Sequence, residues 1–150
     1  MRIAIILAVS VAAAAAANAL HPRRIAWFVS RDVIYPPPTT QQAAATISRD
    51  EVVAAIQQGA TIVDARKVDH FQDGHIPGAI NIPAEDPASH LDTLTARSLP
   101  DDPVIVYCGG DPCDDSKIVF DLLKQNGYQN LRIYFGGWRD WTEAKLDVEK

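Results

Sequence analysis

Cys108 closes the apolar run Val104-Ile105-Val106-Tyr107 and is followed at once by Gly109-Gly110. A short, uncharged run between turn signals reads as a strand buried on both faces, and such strands belong to parallel sheets covered by helices. A loop bearing glycine and then a helix, roughly Asp115 to Asn126, come next. The thiol therefore lies at the mouth of a parallel sheet, the edge where open α/β folds bind ligands. The helix points its N-terminus back toward that thiol. Its unpaired N–H groups and dipole favour thiolate over thiol, which marks Cys108 as a candidate nucleophile.

The rest of the chain fits the same α/β class, an open parallel sheet flanked by helices on both faces. Ser48-Arg49-Asp50-Glu51 is a capping-box pattern, with Val52, Val53 and Ile56 at helical spacing and Gly59 as the stop. Thr61-Ile62-Val63-Asp64 is a short apolar strand, residues 65–75 a polar connection, and Ile76-Pro77-Gly78-Ala79 a turn leading into a strand over 79–82. A helix is expected between Pro87 and Arg97 with Leu91 and Leu94 inward. Ile118, Val119, Leu122 and Leu123 form the apolar face of the helix after Cys108, which stops at Gly127. Leu131-Arg132-Ile133-Tyr134 is the last strand, and Gly136-Gly137-Trp138 opens a short terminal helix carrying Trp141.

Three parts are expected: a membrane anchor or signal segment over 1–22, a proline-rich linker over 23–44, and a globular domain over 45–150. Residues 3–20 are uncharged and mostly Ala, Ile, Val and Leu. As a helix they span about 27 Å, enough for a thin hydrocarbon core. Ala17-Asn18-Ala19 also fits a signal-peptidase site, which would leave the domain periplasmic or secreted. Arg23, Arg24 and Arg31, with Trp27 and Phe28 among them, favour a retained anchor with the domain on the cytoplasmic side. Tyr35-Pro36-Pro37-Pro38-Thr39-Thr40-Gln41-Gln42 reads as a stiff, extended spacer.

Charge narrows the function. Residues 1–44 carry four Lys/Arg and one Asp, whereas residues 45–150 carry ten Lys/Arg and eighteen Asp/Glu, a net of −8. An acidic domain without a basic stripe excludes nucleic acid as the expected partner. Cys108 and Cys113 are the only cysteines. They are too few for a disulfide framework and lack the usual zinc spacing, so their closeness points to redox or nucleophilic chemistry. His21, His70 and His90 have no partners at metal spacing, and His75, in Gly-His-Ile-Pro-Gly, reads as a turn histidine bonded to backbone. Trp138 and Trp141 read as core or rim packing.

Asp64-Ala65-Arg66, followed by Phe71 and by Gly74-His75-Ile76-Pro77-Gly78-Ala79-Ile80-Asn81-Ile82-Pro83, resembles the N-terminal signature of rhodanese-like domains. Val104 to Cys108 resembles their active-site strand, and Leu131 to Trp141 their C-terminal signature. The likeness covers about residues 46–145. Asn18-Ala19-Leu20-His21-Pro22 is similar to the end of the membrane segment in some bacterial membrane-tethered members. The resemblance implies a sulfurtransferase. Cys108 would accept sulfane sulfur from a small donor, thiosulfate or a persulfide, and pass it as a persulfide to a thiol or a protein cysteine. It implies no metal and no cofactor. The loop Cys108-Gly109-Gly110-Asp111-Pro112-Cys113-Asp114-Asp115-Ser116 would wrap the sulfur, with Asp64 and Arg66 fixing neighbouring loops.

The loop departs from the family's pattern. It is about two residues longer than usual, and it has no Arg or Lys before Lys117. Asp111, Asp114 and Asp115 stand where a cation is expected, which disfavours the thiosulfate dianion and opposes the helix dipole at the thiol. Asp114 or Asp115 as helix caps would weaken that effect. Phosphatase relatives of the fold keep a loop arginine that this chain lacks. Cys113 could resolve a persulfide or sulfenic acid at Cys108 into a disulfide. The alternative function is thus a redox-responsive or docking module using the Cys108/Cys113 pair.

Overall fold

Alternating apolar runs and amphipathic helices assemble into a four-stranded, all-parallel sheet of order β2-β1-β3-β4. The computed structural model describes residues 46–110 and 113–150. The expected anchor and linker, and with them the domain boundary and the side of the membrane, lie outside the described residues, as do Asp111 and Pro112. Among the described residues no helix is long and apolar enough to cross a membrane.

The elements run α1 (Arg49–Gln57), β1 (Thr61–Asp64), α2 (Val68–Asp73), β2 (Ile80–Asn81), a 3₁₀ turn (Ala88–His90), α3 (Leu91–Thr95), β3 (Val104–Tyr107), α4 (Asp115–Gln125), β4 (Leu131–Tyr134) and α5 (Gly137–Glu143). At the start of α1, the Ser48 amide and hydroxyl both donate to Glu51 Oε2, at 2.9 and 2.6 Å, the reach-back half of a capping box. The connection read as polar coil over 65–75 holds the six-residue helix α2. Such a helix is too short and too polar to announce itself by periodicity, and none of its residues is buried.

Strand parity divides the core. Val104, Val106 and Cys108 face one side, where Leu94 of α3 and Val119 and Leu123 of α4 cover them. Ile105 and Tyr107 face the other, beneath Val52 of α1 and Trp141 of α5. Successive side chains alternate across the sheet, so the residue after Tyr107 must emerge on the α4 side.

Candidate active site

Cys108 is 2% exposed at the C-terminal end of β3. The Ala65 amide donates to Tyr107 O at 2.8 Å, which continues the β1–β3 ladder to the last residue before the thiol. The Trp138 amide then donates to Cys108 O at 2.8 Å, and the Arg139 amide to Gly109 O at 3.1 Å. The loop after Cys108 is thereby stitched to the start of α5. Glycine permits this approach. Gly137 adopts φ +58°, and a Cβ there would collide with Cys108 O. Gly110 adopts φ +114°, with Gly136 O 2.8 Å from where its Cβ would sit. Both positions need left-handed backbone as well as an absent side chain.

On the α4 side of the thiol, Ser116 is fully buried with Oγ 3.6 Å from Cys108 Sγ. It is the second residue of α4, so its hydroxyl and the helix N-terminus address the same sulfur. Cys113 is half-buried against the α3/α4 side of the core and is joined to Cys108 as a disulfide, with Cα atoms 6.6 Å apart. Asp114 is exposed and makes no side-chain capping hydrogen bond, which corrects the expectation that it caps α4. Its backbone is helical, φ −95° and ψ −8°, whereas a capping residue needs extended dihedrals. Asp115 occupies the first turn of α4.

Asp64 and Arg66 lie on the opposite face and reach the thiol through intermediaries. Arg66 grips Asp64 with Nε at 3.0 Å to both oxygens and NH2 at 2.6 Å to Oδ2, and NH2 also donates to Gly74 O at 2.7 Å. Burial works against the guanidinium charge, yet Asp64 outweighs it and holds Arg66 above its ordinary pKa. The guanidinium carbon lies 4.5 Å from the centre of the Trp138 ring, whose own amide holds Cys108 O. Asn81 Nδ2 donates to Asp64 O and Arg66 O, at 3.0 and 2.9 Å. Arg66 thereby ties the end of β1 to the backbone at Gly74. His75 is likewise a turn histidine, with Nδ1 2.9 Å from Phe71 O.

One residue escaped sequence reasoning. Arg139 Cβ and Nε lie 3.2 and 3.7 Å from the position of a Cβ on Gly110, so a cation stands beside a loop that supplies none. The signal that could have found it is its place directly after Gly136-Gly137-Trp138. Lys67 is a second cation near the loop. Glu85, 2.6 Å away, is the main cause of its raised pKa, and Asp115 adds to it. A groove lined by Ile47, Glu51, Ala54, Ile105 and Arg132 opens at the other end of the strands, far from any nucleophile. No group of three metal-ligating side chains occurs among the described residues.

Residues 48–144 match the family described as rhodanese-like domain. The chain is 33% identical over 105 residues to the HTH-type transcriptional regulator Rv0324 of Mycobacterium tuberculosis, covering 69% of this chain and 44% of that protein. It is 32% identical over 128 residues to a thiosulfate sulfurtransferase of Corynebacterium glutamicum, covering 66% and 42%. The chain thus spans less than half the length of these two relatives. Among solved structures, the BH2092 protein of Bacillus halodurans superposes with TM-score 0.63 at 23% identity, over 73% of this chain and 79% of that one. The human single-domain sulfurtransferase superposes with TM-score 0.54 at 26% identity, over 66% and 96%.

Proposed function

The chain belongs to the rhodanese-like domain family, and we propose that it is a sulfurtransferase carrying sulfane sulfur as a persulfide on Cys108. The observation that carries this reading is the pairing of a strand-end thiol with the buried Ser116 hydroxyl, 3.6 Å away at the start of α4. Reduced Cys108 attacks the outer sulfur of the donor as a thiolate. With thiosulfate, the sulfur–sulfur bond breaks and sulfite leaves with the electron pair. An acceptor thiolate then takes the outer sulfur and frees the Cys108 thiolate. The Ser116 hydroxyl donates to the Cys108 thiolate before loading and after transfer, and hydrogen bonds to charged groups are the stronger kind. Arg139 supplies the positive charge for an anionic donor, in place of a loop arginine. Gly109, exposed and with nothing within 4 Å of a would-be Cβ, leaves that approach open.

A second reading, a thiol–disulfide or docking module without sulfur transfer, is favoured by the Cys108–Cys113 bond. Intact mass separates the two. The full-length chain is reduced, freed of reductant and incubated with thiosulfate, and separately with glutathione persulfide. Sulfur transfer adds ~32 Da to Cys113→Ser, which cannot close the disulfide, and nothing to Cys108→Ser. No gain in Cys113→Ser and no sulfide released by the wild type from either donor, with only a loss of ~2 Da in the wild type under oxidant, overturns it in favour of the disulfide module.

Residues 3–20 are proposed as a membrane tether that leaves residues 45–150 facing the cytoplasm, on the strength of the uncharged run and the arginines after it. Carbonate-resistant sedimentation of the full chain, with protease protection of the domain in spheroplasts, tests it. Recovery of a cleaved, soluble domain outside the cytoplasm overturns it.

A further inference from the structure

We propose that Cys113 resolves the Cys108 persulfide internally, so that the domain is also a sulfane-sulfur reductase that releases hydrosulfide. This rests on the sulfurtransferase reading and extends it. The two sulfurs meet while both anchors are held. The Trp138 amide fixes Cys108 O at 2.8 Å, and Ala65 holds the preceding carbonyl at the same distance. Cys113 lies two residues before the start of α4, whose first turn is closed by Lys117 and Ile118 amides donating to Asp114 O at 3.0 and 3.1 Å. With these anchors in place the Cα atoms are 6.6 Å apart, within the span a disulfide bridges. The pairing needs no unwinding of α4 and no retreat of β3.

The atom that Cys113 reaches is the inner sulfur of a persulfide. Its thiolate forms a bond to Cys108 Sγ, and the bond from Sγ to the outer sulfur breaks. The outer sulfur leaves with that bonding pair and the persulfide proton as HS⁻. The two cysteines together lose two electrons, and the sulfane sulfur gains them. Hydrosulfide is a weaker base than an alkyl thiolate, and the less basic sulfur leaves faster. The product is the Cys108–Cys113 disulfide, in which the nucleophile is capped. Repeated turnover then requires an external dithiol to reduce the pair, whereas a single turnover requires only the donor.

Reactivity therefore divides at the persulfide. An external thiol that arrives first receives sulfur, and otherwise Cys113 expels it. Buried Cys108 favours the internal route, since an acceptor must enter the loop whereas Cys113 is already in it.

A single-turnover experiment on the full chain decides. Reduced wild type, Cys113→Ser and Cys108→Ser are mixed with thiosulfate, or with glutathione persulfide. Each is quenched in acid for intact mass, and free sulfide is measured above the Cys108→Ser blank. The wild type is expected to release about one sulfide per chain and to end ~2 Da below its reduced mass. Cys113→Ser is expected to hold the added sulfur and to release at least tenfold less sulfide. A wild type that holds added sulfur without releasing sulfide overturns the reductase step and leaves the sulfurtransferase intact. So does an added sulfur mapped to Cys113, which would mean attack on the outer atom. If neither protein gains sulfur nor releases sulfide, the sulfurtransferase reading itself falls. Should Cys113→Ser not fold, the wild-type sulfide and mass decide alone.

Discussion

Tyr107 donates its hydroxyl to Asp64 Oδ2 at 2.6 Å, across the register pair that ends both β1 and β3. The Tyr107 phenol oxygen in turn accepts from the Ile76 amide at 3.1 Å. Asp64 is fully buried and also bound by Arg66, so the residue before Cys108 is locked at two points to the N-terminal sequence signature. A buried ion pair is weak evidence for net stability, but leaving either partner alone costs several kcal/mol. The lock thus converts a local strand end into a fixed origin for the Cys108 loop.

Tyr107→Phe should change how stability falls at alkaline pH. Burial, and then the Asp64 charge, push the Tyr107 phenol well above its ordinary value of 10.0. Below about pH 10 both folded and unfolded chains hold this proton and the contribution is complete. Above it the unfolded chain ionises while the fold keeps the proton, so stability drops by about 1.4 kcal/mol per pH unit for this group. Tyr134 is raised as well, by burial and by its bond to Asp140, so a slope remains in the variant. Tyr107→Phe should be about 1–3 kcal/mol less stable at pH 7, through the partners it strands, yet lose less on going to pH 11. Urea unfolding across that range measures both, and an unchanged alkaline slope contradicts the assignment.

Gly137→Ala and Gly127→Ala should separate backbone strain from contact. Gly127 adopts φ +92° with nothing near a would-be Cβ, so alanine there should cost only the left-handed strain of about 1–2 kcal/mol. Gly137 adds collision with Cys108 O, and with Gly110 N at 2.8 Å. Its alanine variant should lose more than Gly127→Ala by about 1–3 kcal/mol. It should also slow sulfur loading even when fully folded. Equal losses of stability, or unaltered loading, would remove the α5 start from the site.

Ser116→Ala should slow persulfide formation about 10- to 100-fold, the loss of one hydrogen bond to a charged sulfur. The companion readout is the pH profile of Cys108 alkylation in the reduced protein, which should shift to higher pH without the hydroxyl. A rate change with an unmoved profile would assign Ser116 to packing alone.

Arg139→Ala should raise the KM for thiosulfate about 3- to 10-fold with little change in kcat, the modest size reflecting an exposed, solvent-screened charge. In the wild type that KM should climb with salt, and in the variant it should be nearly flat. Salt dependence that survives Arg139→Ala would place the donor's cation elsewhere, Lys67 being the alternative.

Much of this arrangement was legible from residues close in sequence. Parity and turn chemistry announced the strand end at Cys108, and apolar spacing announced α4 to within a residue, Asp115–Gln125 against Asp115 to Asn126. Ser48 and Glu51 marked the start of α1. Helix α2 was invisible because six residues without a buried side chain carry no periodic signal. Strand β2 shrank to Ile80–Asn81. Asn81 also turns its side chain onto Asp64 O and Arg66 O, a role no strand pattern encodes.

The sequence alone determined the class of sheet, the strand that carries the thiol and the identity of that thiol. Each follows from alternation and turn residues within a few positions of one another. Only the tertiary structure decided what surrounds the sulfur. The order β2-β1-β3-β4 sets β4 beside β3, and the chain leaving β4 therefore crosses the Cys108 loop. That crossing delivers the Trp138 amide, the space Gly137 leaves open and the Arg139 charge to a thiol about thirty residues earlier in the chain. Local propensity is blind to such neighbours, because they are set by which strands pair and not by any spacing along the chain.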